Sequence, residues 1–297
     1  MALFKETENL HEDTHLLAIS SLVNQLCKAQ DYTYTDDISY ILNEQCKVCI
    51  VFDGHGDNRV IDFIRAIPNN KMNELVSAAN PVESLANYIN INFKYVNLTS
   101  GSTMCLVKIF SNRIECINCG DSQVAVYKNG ALEYMNKEHN YKNEKERERL
   151  EKKVNYIPSS NIKMVECDKL ISIYSEYIEW EMPIKNFKLA CTQALGHNGI
   201  TGYDPESVII PLVSGDRYKV IIGSDGLWDM MMNDDEEDMK QLYSKNVDEI
   251  MFQTTNRWLQ EWNMQDLLNN NPDIIQCKFE PKHCDDVAII VADIIPI

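Results

Sequence analysis

Four carboxylates stand at the tips of apolar runs. Asp53 directly follows Cys49-Ile50-Val51-Phe52, Asp225 follows Val220-Ile221-Ile222-Gly223-Ser224, and Asp285 and Asp286 directly precede Val287-Ala288-Ile289-Ile290-Val291. A carboxylate at the end of a buried strand is held rigidly and is partly desolvated. Several that converge repel one another unless cations lie between them. Hard divalent cations such as Mg²⁺ and Mn²⁺ take oxygen ligands in octahedral geometry and keep several waters. Gly54 and Gly226, each beside one of these acids, leave backbone approachable and room for water. One Asp-Gly is ordinarily a turn former. Three acidic strand ends, with His55 beside one of them, favour a cation-binding centre.

The elements that must position these groups are readable from periodicity. The run Lys47-Val48-Cys49-Ile50-Val51-Phe52 reads as a buried strand stopping at a Gly-rich turn. Residues 58–67 read as a helix, with Val60, Ile61, Ile64 and Ile67 on one side and Pro68 at its end. Residues 82–96 read as a second helix. Two strands flank a turn at Ser111-Asn112, and a third ends in the hairpin signal Asn129-Gly130. Residues 142–153 read as a solvated charged helix, 154–188 as irregular, 235–262 as helical, and residues 286–294 as a closing strand. Strands in hairpins with helices grouped between them make an α+β pattern rather than a βαβ alternation, and residues 1–297 are expected to form a single domain.

Composition narrows the partners. The chain has 297 residues, with 28 Lys and Arg against 45 Asp and Glu, a formal net charge of -17. So acidic a surface repels phosphate backbones, which disfavours nucleic-acid binding. No apolar run approaches ~18 residues, so no membrane span is expected, and the N-terminus lacks an apolar signal core. Ten cysteines in such a chain suggest reduced thiols in a cytoplasmic or otherwise intracellular compartment. Cys46/Cys49 and Cys116/Cys119 have C-x-x-C spacing, but both pairs lie in strand-like stretches, where residues i and i+3 point to opposite faces. Buried, inert cysteines are expected rather than zinc. His11 to His15, His-Glu-Asp-Thr-His, fits the zinc-protease pattern if it is helical, with no third ligand signalled downstream.

The motifs VFDGHGD, SGSTMCLV, NCGDSQVAVY, EHN, TQALGH, GSDGLWDMM and CDDVAIIV follow one another in that order. From about residue 9 to residue 294 the ordered set resembles the metal-dependent Ser/Thr protein phosphatases, the PP2C or PPM family. The resemblance implies a four-layer α/β/β/α sandwich of two antiparallel sheets flanked by helices. It also implies a phosphoprotein substrate, a monomer, and two Mg²⁺ or Mn²⁺ ions per chain with a weaker third. Carried over by position, Asp53 bridges both metals, the Gly54 carbonyl binds one, and Asp225 and Asp285 bind the other. Glu12 and Asp13 match an acidic pair that reaches metal through water, Glu138 and Asp229 match the weaker site, and His55 matches the general acid, with a pKa near 6.5. The segment 154–188 falls where the family carries a variable flap beside the active site. The chain also departs from the family pattern. Glu8 stands where the family often has a phosphate-holding Arg, leaving Lys5 and Arg59 as candidate substitutes. Asp57 replaces the second Gly of GHGG, Gln123 replaces an Arg, and His197 replaces the Asp of the LGD motif. These departures keep a second reading open, a weak or inactive pseudophosphatase serving as a binding module, with the zinc protease as a remote third.

Overall fold

A computed structural model describes residues 7–12, 15–39, 44–92, 99–150, 154–166, 169–180, 187–231, 236–266 and 274–297. The first half contains β1 (Thr7–Glu12), β2 (His15–Asn24), β3 (Asp31–Ser39), β4 (Gln45–His55), α1 (Arg59–Arg65), α2 (Asn69–Val76), α3 (Pro81–Asn92), β5 (Gly101–Ser102), β6 (Met104–Phe110), β7 (Arg113–Cys119), β8 (Gln123–Lys128), β9 (Ala131–Met135) and α4 (Glu144–Leu150). The second half contains β10 (Val154–Glu166), β11 (Lys169–Trp180), β12 (Phe187–Leu189), β13 (Leu195–Gly196), β14 (Glu206–Pro211), β15 (Tyr218–Gly223), α5 (Asp225–Trp228), α6 (Glu236–Ser244), α7 (Val247–Leu259), β16 (Glu261–Asp266), β17 (Ile274–Lys278) and β18 (Val287–Pro296).

Two large antiparallel sheets stack face to face. One has the order β1-β2-β18-β15-β8-β9; the other runs β13-β5-β4-β6-β7-β14, with β3 also paired to β4. The alternation of side chains along each strand assigns the layers. On β4, Val48, Ile50 and Phe52 pack against Val60, Ile61 and Ile64 of α1 and Leu85 and Ile89 of α3. Cys49 and Val51 turn the other way, into an inter-sheet core with Val124, Val220, Ile222, Ala288 and Ile290. On β18, Val287, Ile289 and Val291 face Trp228, Ile250 and Trp258 under α5 and α7. Both faces of the central strands are covered, so their apolar runs are unbroken instead of alternating. The result is the expected α+β four-layer sandwich. The C-x-x-C pairs divide as expected too: Cys46 and Cys119 lie in the helix-facing core, Cys49 and Cys116 between the sheets. The described cysteines are free thiols.

Three expectations need correction. Within 154–188 the described residues are not irregular: β10 and β11 pair antiparallel, and β12 and β16–β17 extend them into a third, five-stranded sheet. Pro158 ordinarily argues against a strand, and here it sits at a register shift between Pro158 and Ser160, which removes one ladder demand. The single helical span 235–262 is instead α6, α7 and the start of β16. It breaks at Asn246, whose side chain accepts from the Glu249 backbone while Glu249 reaches back, a capping box. The helical His-Glu-x-x-His face does not form, because His11 lies on β1 and His15 on β2, across a hairpin.

The helical layer under β18 is tied by a buried ion pair. Arg257 on α7 donates to Asp238 on α6 at 2.9 Å and to the Met230 carbonyl at 2.7 Å, and both charged side chains are almost fully buried. Removing one partner of such a pair strands a charge. Asp238→Ala is therefore expected to lower unfolding free energy by about 3–5 kcal/mol in a urea titration, while the double variant Asp238→Leu/Arg257→Met loses much less.

Candidate metal centre

The sheet registers bring several chain segments to one edge of the sandwich. Asp53 lies at the end of β4, opposite Asp31 at the start of β3. The carbonyl of Asp53 accepts from the Thr103 amide at 2.8 Å, just before β6. Cys119, at the end of β7, pairs with Met104 at the start of β6. The chain then crosses between sheets through Gly120 and Asp121 and enters β8 at Gln123, opposite Gly223 at the end of β15. Gly223 also pairs with Ile289 near the start of β18. Every one of these acids sits where a strand begins or ends on the same side.

The result is a convergence of Asp53, Asp121 and Asp225, with one carboxylate oxygen from each lying within 4.8 Å of the others. Burial raises the Asp53 carboxyl well above the ordinary range, and the charges of Asp225, Asp31 and Asp285 raise it further. Asp121 is raised in the same way, by burial and then by Asp225 and Glu138. Asp31 is fully enclosed. Burial raises it as well, although the Ser224 hydroxyl donates to its Oδ2 at 2.7 Å, and its Oδ1 has no hydrogen-bond partner. Oxygen-only donors, mutual repulsion and an orphaned buried carboxylate oxygen together match what a hard divalent cation requires.

Hydrogen bonds behind the cluster hold the acids in place. Asp286 does not face the cluster. Its Oδ1 accepts from the amides of Cys27 and Lys28 at 2.9 and 3.1 Å, and its Oδ2 accepts from the Gln30 amide at 2.8 Å. One carboxylate thereby fixes the loop from residue 27 to Asp31. Gly226 has no room for a side chain: a Cβ would lie 1.9 Å from the Asp286 carbonyl oxygen. The Asp-Gly pair thus lets α5 approach the start of β18 and place Asp225 there.

Lys28 enters the centre from that loop, with Nζ 2.8 and 2.9 Å from the two oxygens of Asp285. Burial alone would lower its ammonium pKa; Asp285, with Asp225 and Asp53 behind it, raises it instead. Asp285 is pushed up to about 6 by burial and Asp225, against the opposing pull of Lys28.

His55 follows Gly54 at the end of β4. Its Nδ1 lies 3.2 Å from Nε2 of His197, and the two rings stack with centroids 4.9 Å apart. Burial, then His197 and Lys28, hold its pKa well below the ordinary histidine value. The direction is below the expected value near 6.5. Gly54 pairs with Ser102 on β5, and its amide donates to the Gln30 carbonyl at 3.0 Å.

The remaining expected residues divide. Glu138 is partly buried, accepts from Asn140, and is raised by burial and by Asp225. Asp229 lies one turn beyond Asp225, solvent-exposed at the end of α5, and its amide donates to the Asp225 carbonyl at 2.8 Å. Arg59 points outward and is bound to Asp57 at 2.6 and 2.8 Å. Glu12 is carried away from the centre. It pairs with His15, where β2 begins opposite Pro296, and β2 then runs to Asn24 opposite Val287. At ~3.3 Å per residue, that places Glu12 about 30 Å along the sheet from the acidic edge. The N-terminal segment that does reach Asp53 is Gln30-Asp31. Asp13 and Lys5 lie outside the described residues. Sequence reasoning missed Asp121, Asp31 and Lys28. Asp121 carried the same signal as Asp53, an acid just past an apolar strand end.

An acidic centre at the edge of a two-sheet sandwich is the layout of a metal-dependent phosphatase. The family model for Protein phosphatase 2C matches residues 37–252, well over half of the chain, and the chain belongs to that family. Probable protein phosphatase 2C 44 of Oryza sativa subsp. japonica is 23% identical over 221 residues, covering 71% of this chain and 63% of the relative. Protein phosphatase 1B of Homo sapiens is 26% identical over 209 residues, covering 62% of this chain and 41% of the relative. The match therefore spans less than two thirds of either relative. The fold is shared with a serine-threonine phosphatase 2C from Toxoplasma gondii, at TM-score 0.55 and 13% identity over 99% of both chains. It is also shared with a C. elegans sex determining protein, at TM-score 0.60 and 18% identity, covering 96% of this chain and 65% of that one.

Proposed function

We propose that this chain hydrolyses phosphoserine and phosphothreonine esters on proteins with the help of two Mg²⁺ or Mn²⁺ ions. The convergence of Asp53, Asp121 and Asp225 in a Protein phosphatase 2C family chain carries this reading. These three would hold the cations, with Asp31, Asp285 and the Gly54 carbonyl beside them and Glu138 and Asp229 at a weaker third position. When bound, the ions supply an activated water and neutralise charge on the phosphoryl oxygens. The protein's own groups do the rest. Ser224 and Asp286 fix the acids, Lys28 adds a positive charge where a phosphate dianion must arrive, and His55 exchanges a proton with the leaving oxygen. We assign the chain to one phosphatase unit acting as an intracellular monomer. The β10–β11 hairpin is its substrate-selecting flap. Among the described residues no helix is long and apolar enough to cross a membrane.

The test is hydrolysis of a phosphothreonine peptide with Mn²⁺ and with EDTA. Turnover that requires the ion supports the reading. No turnover with Mn²⁺ still bound by calorimetry favours the pseudophosphatase, for which Glu8 in place of an Arg is the specific observation. Neither turnover nor binding removes the carboxylate assignment.

Lys28 in place of that Arg yields a separate expectation. A hydrogen bond to a charged group is worth about 1.5–3 kcal/mol. Lys28→Met is expected to raise KM for the peptide about tenfold or more with a smaller change in kcat, the signature of lost ground-state binding, read from initial rates at saturating Mn²⁺.

A further inference from the structure

The residues Cys27-Lys28-Ala29-Gln30-Asp31 carry the chain from β2 to the start of β3 and are gripped from two sides. On one side the Asp286 carboxylate collects the amides of Cys27, Lys28 and Gln30. On the other, Arg65 in the last turn of α1 collects carbonyls: its Nη2 donates to Ala29 at 2.9 Å and to Asp31 at 2.9 Å. Between the two grips Ala29 takes a left-handed backbone at φ +56°. That conformation turns neighbouring amides towards one point as a nest. An alanine there is strained, and such strain persists only where the surroundings over-determine it.

Asp31 has other fixtures. β3 sets it opposite Asp53, Ser224 donates to its carboxylate, and Gln25 donates to its carbonyl at 2.7 Å. Lys28 and Ala29 lie outside every described strand. An arginine that only closed α1 would be served by the carbonyls of its own last turn. Its exposed pair with Asp62, at 3.0 Å, is worth little. Reaching 36 positions back to the Ala29 carbonyl answers neither need. What the grip sets is the direction of Lys28. An ammonium has three hydrogens to donate. Asp285 takes two of them, and the Lys28 side chain is 47% exposed, so the third is open to an arriving anion.

We propose that Arg65 is a positioning residue: by holding the Ala29 carbonyl it aims Lys28, so that a phosphate monoester is captured by an ammonium whose place is set from α1. This deepens the phosphatase reading and rests on it. The guanidinium does not meet the phosphate. It keeps the loop in one conformation before the ligand arrives, so its effect is on affinity and passes through Lys28. Two side chains that act as one unit give non-additive losses when both are removed.

Calorimetry with inorganic phosphate at saturating Mg²⁺ reads the capture without turnover. Arg65→Met is expected to weaken phosphate about tenfold, as Lys28→Met does, with Mg²⁺ affinity changed less than about twofold. In a Lys28→Met background the same substitution is expected to cost less than about twofold. A full loss in that background, or none in the wild-type background, overturns the proposal. So does a wild type that binds no phosphate. A Mg²⁺ affinity that falls in step with phosphate would mean that Arg65 only supports the fold of the centre, and overturns it too. Asp62→Ala breaks the exposed pair and leaves the carbonyls held, so it is expected to keep wild-type affinity; a loss equal to that of Arg65→Met counts against the loop. Should Arg65→Met fail to fold, Arg65→Lys, a cation without the planar fork, is expected to lose about threefold, again only where Lys28 is present. With a phosphothreonine peptide the loss is expected in KM rather than kcat. Turnover with additive losses removes the role of Arg65 and leaves the phosphatase reading. No turnover with the phosphate result intact removes the phosphatase reading and leaves the role of Arg65.

Discussion

Asp225→Asn is expected to cut Mn²⁺-dependent hydrolysis of a phosphothreonine peptide by roughly a thousandfold, and at the same time to raise the melting temperature of the protein in EDTA. The first effect follows from its position. Asp225 is one of the three acids whose oxygens converge, and a cation at such a site supplies several kcal/mol of transition-state charge stabilisation, about a thousandfold in rate. The second follows from the company it keeps. The charge of Asp225 raises the carboxyls of Asp53, Asp121, Asp31, Asp285 and Glu138. Without a cation, this one side chain is the common source of repulsion in the cluster. The amide keeps shape and hydrogen-bonding capacity while deleting the charge, so the fold relaxes as activity is lost. That opposition separates a functional acid from a structural one: losing a structural acid lowers both readouts. Thermal scans in EDTA and initial rates in Mn²⁺ measure the two effects on the same preparation. A variant that melts lower and retains the wild-type rate would remove Asp225 from the centre.

Much of this site is legible in the sequence, because an acid placed directly at the end of a buried apolar run has its position set by the strand. Asp53, Asp225 and Asp285 fall in this class, and the alternation that sends Cys46 and Cys49 to opposite cores follows from the same geometry. Legibility ends where position depends on register. Glu12-Asp13 and Gln30-Asp31 are both an acid beside a polar residue near the first strands. Only the antiparallel pairing of β2 with β18 and of β3 with β4 carries Glu12 to the far end and sets Asp31 opposite Asp53. Placing Asp121 requires knowing that the chain changes sheets between β7 and β8. The β10–β11 hairpin is hidden by Pro158, whose backbone cannot donate to a ladder. The bulge that absorbs it arises from pairing with a strand some twenty residues away. His197 is visible as a departure from a pattern, but its partner is 142 positions away in sequence, and no local signal records that contact.

The metal-free protein is expected to lose stability as pH rises from about 5 to 8, and a divalent cation is expected to reverse that trend. Asp53, Asp121 and Asp31 have folded-state pKa values raised above the usual carboxylate value of 3.8, and Asp285 is raised to about 6. Between the unfolded and folded values the native protein keeps protons that the unfolded chain has released, so unfolding free energy falls with pH across that window. The stability these groups contribute is complete below about pH 4 and is lost as pH climbs through their folded values. For Asp285 alone a shift of about two units corresponds to ~2–3 kcal/mol, or roughly 5 °C in a chain of this size. His55 and His139, held below the ordinary histidine value by burial, act in the opposite sense, because below about pH 6.5 the unfolded chain takes up the protons they refuse. Their contribution is complete once the pH passes that point. Below pH 6.5 the acids and the histidines therefore oppose one another, Asp285 giving up its share between about pH 4 and 6, and the decline carried by the acids is expected to be shallower in Asp225→Asn. Mn²⁺ or Mg²⁺ binds the deprotonated carboxylates of the native state and adds RT ln(1 + [ion]/Kd) to its stability, so the rise in melting temperature on adding the ion should be larger at pH 8 than at pH 5. Thermal scans at four pH values, with EDTA and with Mn²⁺, measure both slopes. A metal-free melting temperature that climbs steadily from pH 6.5 to 8 would mean that the acids are ionised and compensated by protein groups alone, and a shift on adding Mn²⁺ that does not grow with pH would place the ion elsewhere than on Asp53, Asp121 and Asp225.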